Sequence, residues 1–320
     1  MEVGQITAKI FPPEFYQEVR ITPLVRYQGL LSPGSELWLK DETKQVGASF
    51  KLRGTYCRLL KEPAGTIVVT ASTGNHGIGV SFAARKLGLQ AHIFVPEHTS
   101  AVKVQALAQL GATVEKVVGS YDECVQEACR FSRETGAPYI SSLDDPLVVH
   151  GHASLFYELQ QQAEQALDAI LLPVGGGGLL AGCLECYQDS TVRIIGVELA
   201  CVPSMKIALA TKERVLLPLA TSCAEGMLVR QAGVLPFAVA QVHQNLMIEL
   251  VTEEEIQQAL RLLWKHNGIR AEGAGASAVA VAIRFLEMMP GQRVAAVISG
   301  GNVDEEKFQA ILSMNPLRGK

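Results

Sequence analysis

The chain has 320 residues, of which 48% are hydrophobic and 19% charged, so it can fill real cores and wholesale disorder is excluded. Lysine and arginine total 28 against 32 acidic residues, a net charge of -4 without long runs of like charge, so we expect no nucleic-acid partner. Seven scattered cysteines and a beginning without a basic-then-apolar leader predict a cytoplasmic protein with free thiols.

Strand and helix patterns alternate through the first half of the chain. The β-branched run at 66–70 predicts a buried strand, and the segment at 76–87 predicts a helix that ends near Gly88. The alternation continues with a strand at 91–95, a helix at 101–110, a strand at 113–118 and a helix at 121–135. Such alternation is typical of a parallel sheet covered by helices.

A second series of strands and helices lies in the C-terminal half. Strands are predicted at 169–172, 193–197 and 293–298, and helices from Leu179, at 253–266 and at 276–286. The most apolar stretch, 169–184, is interrupted by Pro173 and four glycines, so we expect no membrane span.

Two domains are predicted, because a domain commonly takes roughly 100–200 residues. We predict an α/β fold with two doubly wound, mostly parallel sheets. Residues 63–142 form a small domain, and residues 1–62 plus 143–320 form a large one.

A tetraglycine turn, Gly175-Gly176-Gly177-Gly178, connects a predicted strand to a helix. Without Cβ atoms the backbone can approach an anion closely, and the helix start adds its positive end, so a phosphate is the expected ligand. A flexible hinge is the weaker alternative. The spacing fits neither a triphosphate nor a dinucleotide motif, which favours a small phosphorylated cofactor.

A second polar turn, Ser72-Thr73-Gly74-Asn75-His76, follows the first predicted strand. Its hydroxyls, amide and backbone N–H groups at a helix start would suit a carboxylate. An ordinary helix cap would explain one of these polar residues but not four. His76 is assigned no proton-transfer role.

Three further groups are candidates for chemistry. Lys51 enters an apolar helix start, where desolvation would lower its pKa and make the amine nucleophilic, although a solvated charge stays open as the alternative. Ser299-Gly300-Gly301-Asn302 ends the last predicted strand, at the edge where ligands bind in such sheets. Glu272 is either a site residue or a charge favoured by a helix dipole.

The pair Cys183-x-x-Cys186 is three residues apart on a predicted helix, and no second pair at zinc spacing accompanies it. Buried thiols explain it better than a metal site.

Together these motifs resemble the fold type II pyridoxal phosphate enzymes, in particular the serine/threonine dehydratase and serine racemase branch. The resemblance extends from Thr22 to Asn302 and implies a tryptophan synthase β-like fold with the cofactor in the cleft between two domains. It also implies a small amino-acid substrate and a homodimer.

The resemblance implies specific roles for the motif residues. Lys51 would form the Schiff base, Asn75 would bond the ring hydroxyl, the tetraglycine turn would hold the phosphate, and Ser299 would meet the pyridine nitrogen. Cofactor binding is assigned to Phe50, Lys51, Asn75, Gly175, Gly176, Gly177, Gly178, Glu272, Ser299 and Asn302, and substrate binding to Ser72, Thr73, Gly74, Asn75 and His76. Lys51 and Thr73 are the predicted catalytic residues.

The implied reaction is a β-elimination that converts a β-hydroxy amino acid such as L-threonine or L-serine to a 2-oxoacid and ammonia. Ser299 cannot stabilise a pyridinium as an aspartate would, which suits a reaction whose leaving group carries the electrons away. Thr73 keeps a hydroxyl where racemases of the family have serine, so racemisation is the alternative. β-Replacement and hydroxyaspartate dehydration are weaker ones.

Two positions depart from the family pattern. His152 replaces a glutamine; it either alters the substrate pocket or, as we expect, exchanges one buried hydrogen-bonding group for another. Glu198 and Val202 match the cation site of metal-activated members, but Ser204 replaces its aspartate, so Glu198 is a weak candidate and no metal is expected.

Overall fold

The helices and strands are defined over residues 10–313, which are the residues that the computed structural model describes. The N-terminal elements are α1 (Phe15–Glu18), β1 (Leu24–Arg26), β2 (Glu36–Asp41) and α2 (Lys51–Leu59). They are followed by β3 (Ile67–Ala71), α3 (Asn75–Leu87), β4 (Gln90–Pro96), α4 (Ala101–Gln109), β5 (Thr113–Val117) and α5 (Tyr121–Thr135).

The C-terminal elements form a longer series of the same kind. They are α6 (Pro146–Gln162), β6 (Ala169–Pro173), α7 (Gly178–Cys186), β7 (Arg193–Leu199), α8 (Ser204–Thr211), α9 (Val234–Val242) and β8 (Leu246–Val251). The last four are α10 (Glu253–Asn267), α11 (Gly273–Met288), β9 (Arg293–Ile298) and α12 (Glu305–Ser313).

The larger sheet has six strands in the order β1-β2-β9-β6-β7-β8. Its neighbours are parallel except for the antiparallel edge pair β1 and β2. Alternate residues of β6 enter different cores, because successive side chains of a strand point to opposite faces. Leu171 packs with Val279 of α11, and Leu172 packs with Leu180 of α7. Helices therefore cover both faces of this sheet.

The smaller sheet has three parallel strands in the order β3-β4-β5. Val68 packs against Val80 of α3 on one face, whereas Val69 packs against Ala128 of α5 on the other. Both sheets are thus doubly wound and mainly parallel, and the predicted α/β fold class is confirmed.

Some element limits differ from the sequence predictions. The helix predicted from 276 begins at Gly273, directly after the N-cap residue Glu272, because the Gly-Ala-Gly stretch that reads as a turn is packed against its neighbours and stays helical. The pattern did not predict β1, β2, α6, α8, α9, β8 or α12. Within residues 10–313, no helix combines the length and apolar character needed to cross a membrane.

Candidate active site

The turn that precedes Lys51 is bonded to the turn that follows β9. The Phe50 N–H donates to the Ser299 carbonyl at 3.1 Å, and the Gly301 N–H donates to the Ala48 carbonyl at 2.9 Å. These bonds join residues about 250 positions apart, because β2 and β9 are neighbouring parallel strands that end at the same sheet edge. They place the start of α2, and with it Lys51, beside Ser299.

Lys51 has the properties of an activated amine. Burial lowers its pKa to about 8, and the negative charge of Glu272 opposes that shift. Its Nζ lies 4.9 Å from the centroid of the Phe50 ring. Nowhere in the described part of the chain does a side chain or carbonyl accept a hydrogen bond from this amine, so it is available to a carbonyl ligand.

Asn75 links its own turn to Glu272 and to the turn at 299–302. Its Nδ2 donates to Glu272 Oε1 at 2.8 Å, and its Oδ1 accepts from Asn302 Nδ2 at 2.8 Å. Burial raises the pKa of Glu272 to about 7, against the lowering effect of the Asn75 hydrogen bond. A Cβ at Gly300 would lie 2.9 Å from Glu272 Oε1, so a side chain there would push the Glu272 carboxyl out of its place.

The turn at 72–76 lies at the end of β3, and α3 begins within it at Asn75. Ser72 and Thr73 are half-buried, and Ser72 Oγ accepts from the Gly74 N–H at 3.2 Å. The His76 ring is buried and its Nε2 donates to the Ile140 carbonyl at 3.0 Å. Burial and the charge of Lys51 lower the pKa of His76 to about 3, so the ring stays neutral.

The tetraglycine turn forms a close-fitting cradle at the start of α7. Gly177 has φ 97°, a conformation that favours glycine, and a Cβ there would lie 2.6 Å from Pro236 Cβ. A Cβ at Gly175 would lie 3.0 Å from the Gly226 carbonyl oxygen, and one at Gly176 would collide with Leu143. Backbone N–H groups in such a turn, next to a helix start, suit a phosphate.

His152 lies between the glycine turn and the helix that carries Lys51. Its buried ring is 4.8 Å from the Phe50 ring, and its Nδ1 is 3.7 Å from the place of a Cβ at Gly178. Neither ring nitrogen has a hydrogen bond of ordinary geometry to any residue in the described range. The Gly178 backbone is close enough to interact with a ring nitrogen, so the exchange of one buried hydrogen-bonding group for another stays a prediction.

Glu198 is engaged in helix capping. Its two carboxylate oxygens accept from the backbone N–H groups of Met205 at 2.7 Å and Lys206 at 2.8 Å, in the first turn of α8. Burial raises the pKa of this carboxyl to about 7. The residues described here contain no cluster of three or more His, Cys, Asp or Glu side chains arranged to hold a metal ion.

Sequence reasoning missed a buried ionic network beside the site. Arg53 donates to Glu42 at 2.8 Å and to Glu158 at 2.6 Å, and Lys40 donates to Glu158 at 2.7 Å. All four side chains are fully buried. The only signal in the sequence was the position of Arg53, two residues after Lys51. The network ties α2 to β2 and α6.

The donor set fits a phosphorylated aldehyde cofactor. The cradle at 175–178 suits its phosphate, Lys51 offers an amine for its carbonyl, and Asn75 and Ser299 offer polar groups for the edges of a ring. Ser299 is buried at the end of β9, and its carbonyl, not its hydroxyl, takes the bonds from residues 49 and 50.

Comparisons with known proteins agree with this geometry. The chain is 34% identical over 294 residues to L-threonine ammonia-lyase of Thermotoga maritima, covering 90% of this chain and 73% of that protein. It is 34% identical to the Geobacter sulfurreducens L-threonine ammonia-lyase over 285 residues, covering 87% and 70%.

Solved structures show the same fold. The processed form of threonine deaminase isoform 2 from Solanum lycopersicum matches with a TM-score of 0.88 and 30% identity, over 98% of this chain and 94% of that one. Maize serine racemase matches with a TM-score of 0.83 and 25% identity, over 93% and 94%. The family model described as pyridoxal-phosphate dependent enzyme matches residues 16–300. The chain therefore belongs to the family of pyridoxal-phosphate-dependent enzymes.

Proposed function

We propose that this enzyme is an ammonia-lyase that converts a β-hydroxy amino acid, with L-threonine or L-serine as first candidates, to a 2-oxoacid and ammonia. The observation that carries the proposal is the lysine amine with a pKa of about 8, placed beside a serine at the edge of β9. The threonine ammonia-lyases that resemble this chain over most of its length support the same reaction.

Lys51 has two tasks in this proposal. Pyridoxal phosphate, when bound, supplies an aldehyde that joins an amino group and a ring that withdraws electrons from Cα. Lys51 Nζ would hold the cofactor through its aldehyde, and the same amine, when free, would take the proton from Cα of the substrate. Its lowered pKa keeps a useful fraction of the amine neutral near pH 8, which both tasks require.

Ser299 biases the site toward elimination. We propose that its hydroxyl meets the ring nitrogen, where a carboxylate would hold a proton and make the ring a stronger electron sink. With a hydroxyl there, the electron pair left on Cα by deprotonation forms the Cα–Cβ double bond. The Cβ–O bond breaks at the same time, and the hydroxyl takes that bond's electrons and a proton and leaves as water. The resulting enamine then hydrolyses to the oxoacid and ammonia.

The turn at 72–76 is proposed to bind the substrate carboxylate. The Ser72 and Thr73 hydroxyls and the backbone N–H groups at the start of α3 provide donors. His76 stays neutral and bonded to Ile140, so it orients this turn without carrying charge.

The test is release of 2-oxoacid from a panel of β-substituted amino acids. Wild-type protein loaded with pyridoxal phosphate is expected to act on L-threonine or L-serine, and Lys51→Ala is expected to lose roughly 10²–10⁴-fold or more of the rate together with the visible band of the bound cofactor. A Lys51→Ala protein that eliminated at the wild-type rate would defeat the proposal.

Racemisation is the second candidate, and Thr73 is the feature that favours it. Its hydroxyl is placed in the substrate turn, where it would serve as an acid on the second face of Cα. Chiral analysis of the amino acid recovered during turnover separates the two reactions. Unchanged stereochemistry excludes appreciable racemisation, whereas Thr73→Ala should reduce racemisation far more than elimination.

We further propose that residues 63–142 form the small domain and residues 1–62 plus 143–320 the large one. We also propose that the protein forms a homodimer. The three strands of the small sheet fall inside the first range and the six strands of the large sheet outside it. The seven free cysteines support a reducing, cytoplasmic compartment.

A further inference from the structure

We propose that Asn302 is a positioning residue that fixes the orientation of the Asn75 side-chain amide, so that the Asn75 NH₂ group faces Glu272 and the cofactor ring. The proposal rests on the proposed function, because it takes Asn75 as the residue that meets the ring. It differs from direct cofactor binding by Asn302, since Asn302 acts through Asn75.

The orientation of the Asn302 amide follows from its contact with a backbone carbonyl, which can only accept a hydrogen bond. The Gly47 carbonyl oxygen accepts a hydrogen bond from Asn302 at 2.7 Å, so the atom of Asn302 that faces it must be Nδ2. Gly47 has φ 75°, which glycine tolerates, and this conformation belongs to the turn before Lys51. The backbone of that turn therefore fixes which end of the Asn302 amide is the donor.

The same NH₂ group of Asn302 also donates to Asn75. The distance from Asn302 Nδ2 to Asn75 Oδ1 is 2.8 Å, so the oxygen of the Asn75 amide is the atom turned toward Asn302. Its Nδ2 must then face the other way, where Glu272 Oε1 accepts at 2.8 Å. One N–H of Asn75 remains for a ring oxygen of the cofactor.

Glu272 alone cannot impose this orientation. Because the pKa of Glu272 is raised to about 7, its carboxyl is partly protonated at neutral pH and can either accept from an NH₂ group or donate to an amide oxygen. Without Asn302, a flipped Asn75 would still find a partner in protonated Glu272. The flipped amide would present its oxygen to the ring oxygen of the cofactor.

Asn302 is not needed to hold the two turns together. The backbone bonds from Phe50 to Ser299 and from Gly301 to Ala48 join the same turns and do not involve the Asn302 side chain. Asn302 is exposed, so its replacement removes no core packing. An effect of its removal on the cofactor would therefore come from the lost hydrogen bonds.

The test is a double-mutant cycle with Asn75→Ala and Asn302→Ala, measured as the dissociation constant of pyridoxal 5'-phosphate and as the position of its absorbance band on the protein. Asn302→Ala alone should weaken binding roughly tenfold and shift the band. In the Asn75→Ala background the same change should alter binding by less than about twofold. Additive effects would overturn the proposal.

A second variant gives the opposite amide orientation. Asn302→Asp keeps the shape but has only acceptors at neutral pH, so Asn75 would turn its NH₂ group toward position 302. This variant should bind the cofactor more weakly than Asn302→Ala, and equal or tighter binding contradicts the proposal. Asn245→Ala is the matched control, because its amide also donates to a backbone carbonyl, that of Ser190, and it should bind as wild type.

The proposed function and the role of Asn302 can be disproved separately. If the wild-type apoprotein does not bind pyridoxal 5'-phosphate, the proposed function is wrong. If the wild type binds it and the cycle is additive, only the role of Asn302 is wrong. Thermal unfolding of each apoprotein identifies a variant that has lost its fold, and the isosteric Asn302→Asp then decides the question.

Discussion

At Lys51, two opposing effects set the reactivity of a single amine. Burial disfavours the ammonium form and lowers the pKa, whereas the carboxyl of Glu272 favours the ammonium and raises it. Burial is the larger effect, since the pKa falls to about 8. A change at Glu272 is therefore expected to change the pKa of the Lys51 amine. Glu272 is in turn hydrogen-bonded to Asn75.

We predict that Glu272→Gln lowers the Lys51 pKa further below about 8, because the change removes the negative charge that opposes desolvation. The neutral amine then persists to lower pH. The rate at which the apoprotein captures pyridoxal 5'-phosphate, followed by absorbance, should keep its high value to a lower pH than in wild type.

The difference should be largest between about pH 7 and 8, where Glu272 is charged and much of the wild-type Lys51 is still protonated. Glu249→Gln removes a carboxylate that pairs with Arg284 at the surface and serves as the control. A pH profile for Glu272→Gln that is unchanged or moved upward contradicts this account.

Among the secondary-structure elements, α2 depends on a neighbouring ionic network for its position. Arg53 and Lys40 are balanced by Glu42 and Glu158, and no side chain of the four reaches solvent. Because three elements contribute to the network, the start of α2 is held relative to β2 and α6. A buried pair of this kind is costly to form, but breaking it leaves an uncompensated charge.

We predict that Glu158→Gln destabilises the protein by about 3–5 kcal/mol, because two buried cations would then face one carboxylate. The free energy of unfolding in urea measures this. Arg130→Ala is the comparison: Arg130 pairs with Glu127 and Glu134 on the exposed side of α5, and its loss should destabilise the protein far less. A decrease of less than about 1 kcal/mol in the free energy of unfolding for Glu158→Gln would show that the network does not stabilise the fold.

In the whole molecule, exposed ion pairs connect the small-sheet region to the segment 224–230. Lys103 of α4 pairs with Glu225 at 3.0 Å, and Asp122 of α5 pairs with Arg230 at 3.0 Å. Gly226 of this segment lies against the first glycine of the phosphate cradle. The two ion pairs therefore hold the small-sheet side close to the cradle.

We predict that high salt speeds cofactor release from the wild-type enzyme. At about 1 M salt the screening length is about 3 Å, and exposed pairs of this kind are each worth about 0.2–1 kcal/mol, so a severalfold to roughly tenfold faster release is expected. The double variant Lys103→Gln with Arg230→Gln should release faster at low salt and respond less to added salt.

The measurement is the rate at which bound pyridoxal 5'-phosphate leaves the protein in the presence of a scavenger. Arg130→Gln changes a charge on α5 that does not reach the segment 224–230, and it should behave as wild type. A release rate that does not change with salt would show that the ion pairs have no part in holding the cofactor.

The sequence by itself predicted the features that depend on a few neighbouring residues. The glycine turn, the polar turn at 72–76, the desolvated start of the Lys51 helix and most strands of both sheets follow from local spacing and hydrophobic periodicity. Strands β1, β2 and β8 were not predicted, because their patterns are weak without the neighbours against which they pair.

Only the tertiary structure decided which of these features meet. The order of strands in the large sheet places β2 beside β9, and this juxtaposition brings Gly47 to Asn302 across 255 positions of the chain. Asn75, which follows the small-sheet strand β3, meets Glu272 across 197 positions. The packing of α2, α6 and α7 likewise placed His152 beside Phe50 and Gly178 and gathered the network around Arg53. Local spacing carries no information on such contacts, because they depend on how separate elements pack and on which charges are buried together.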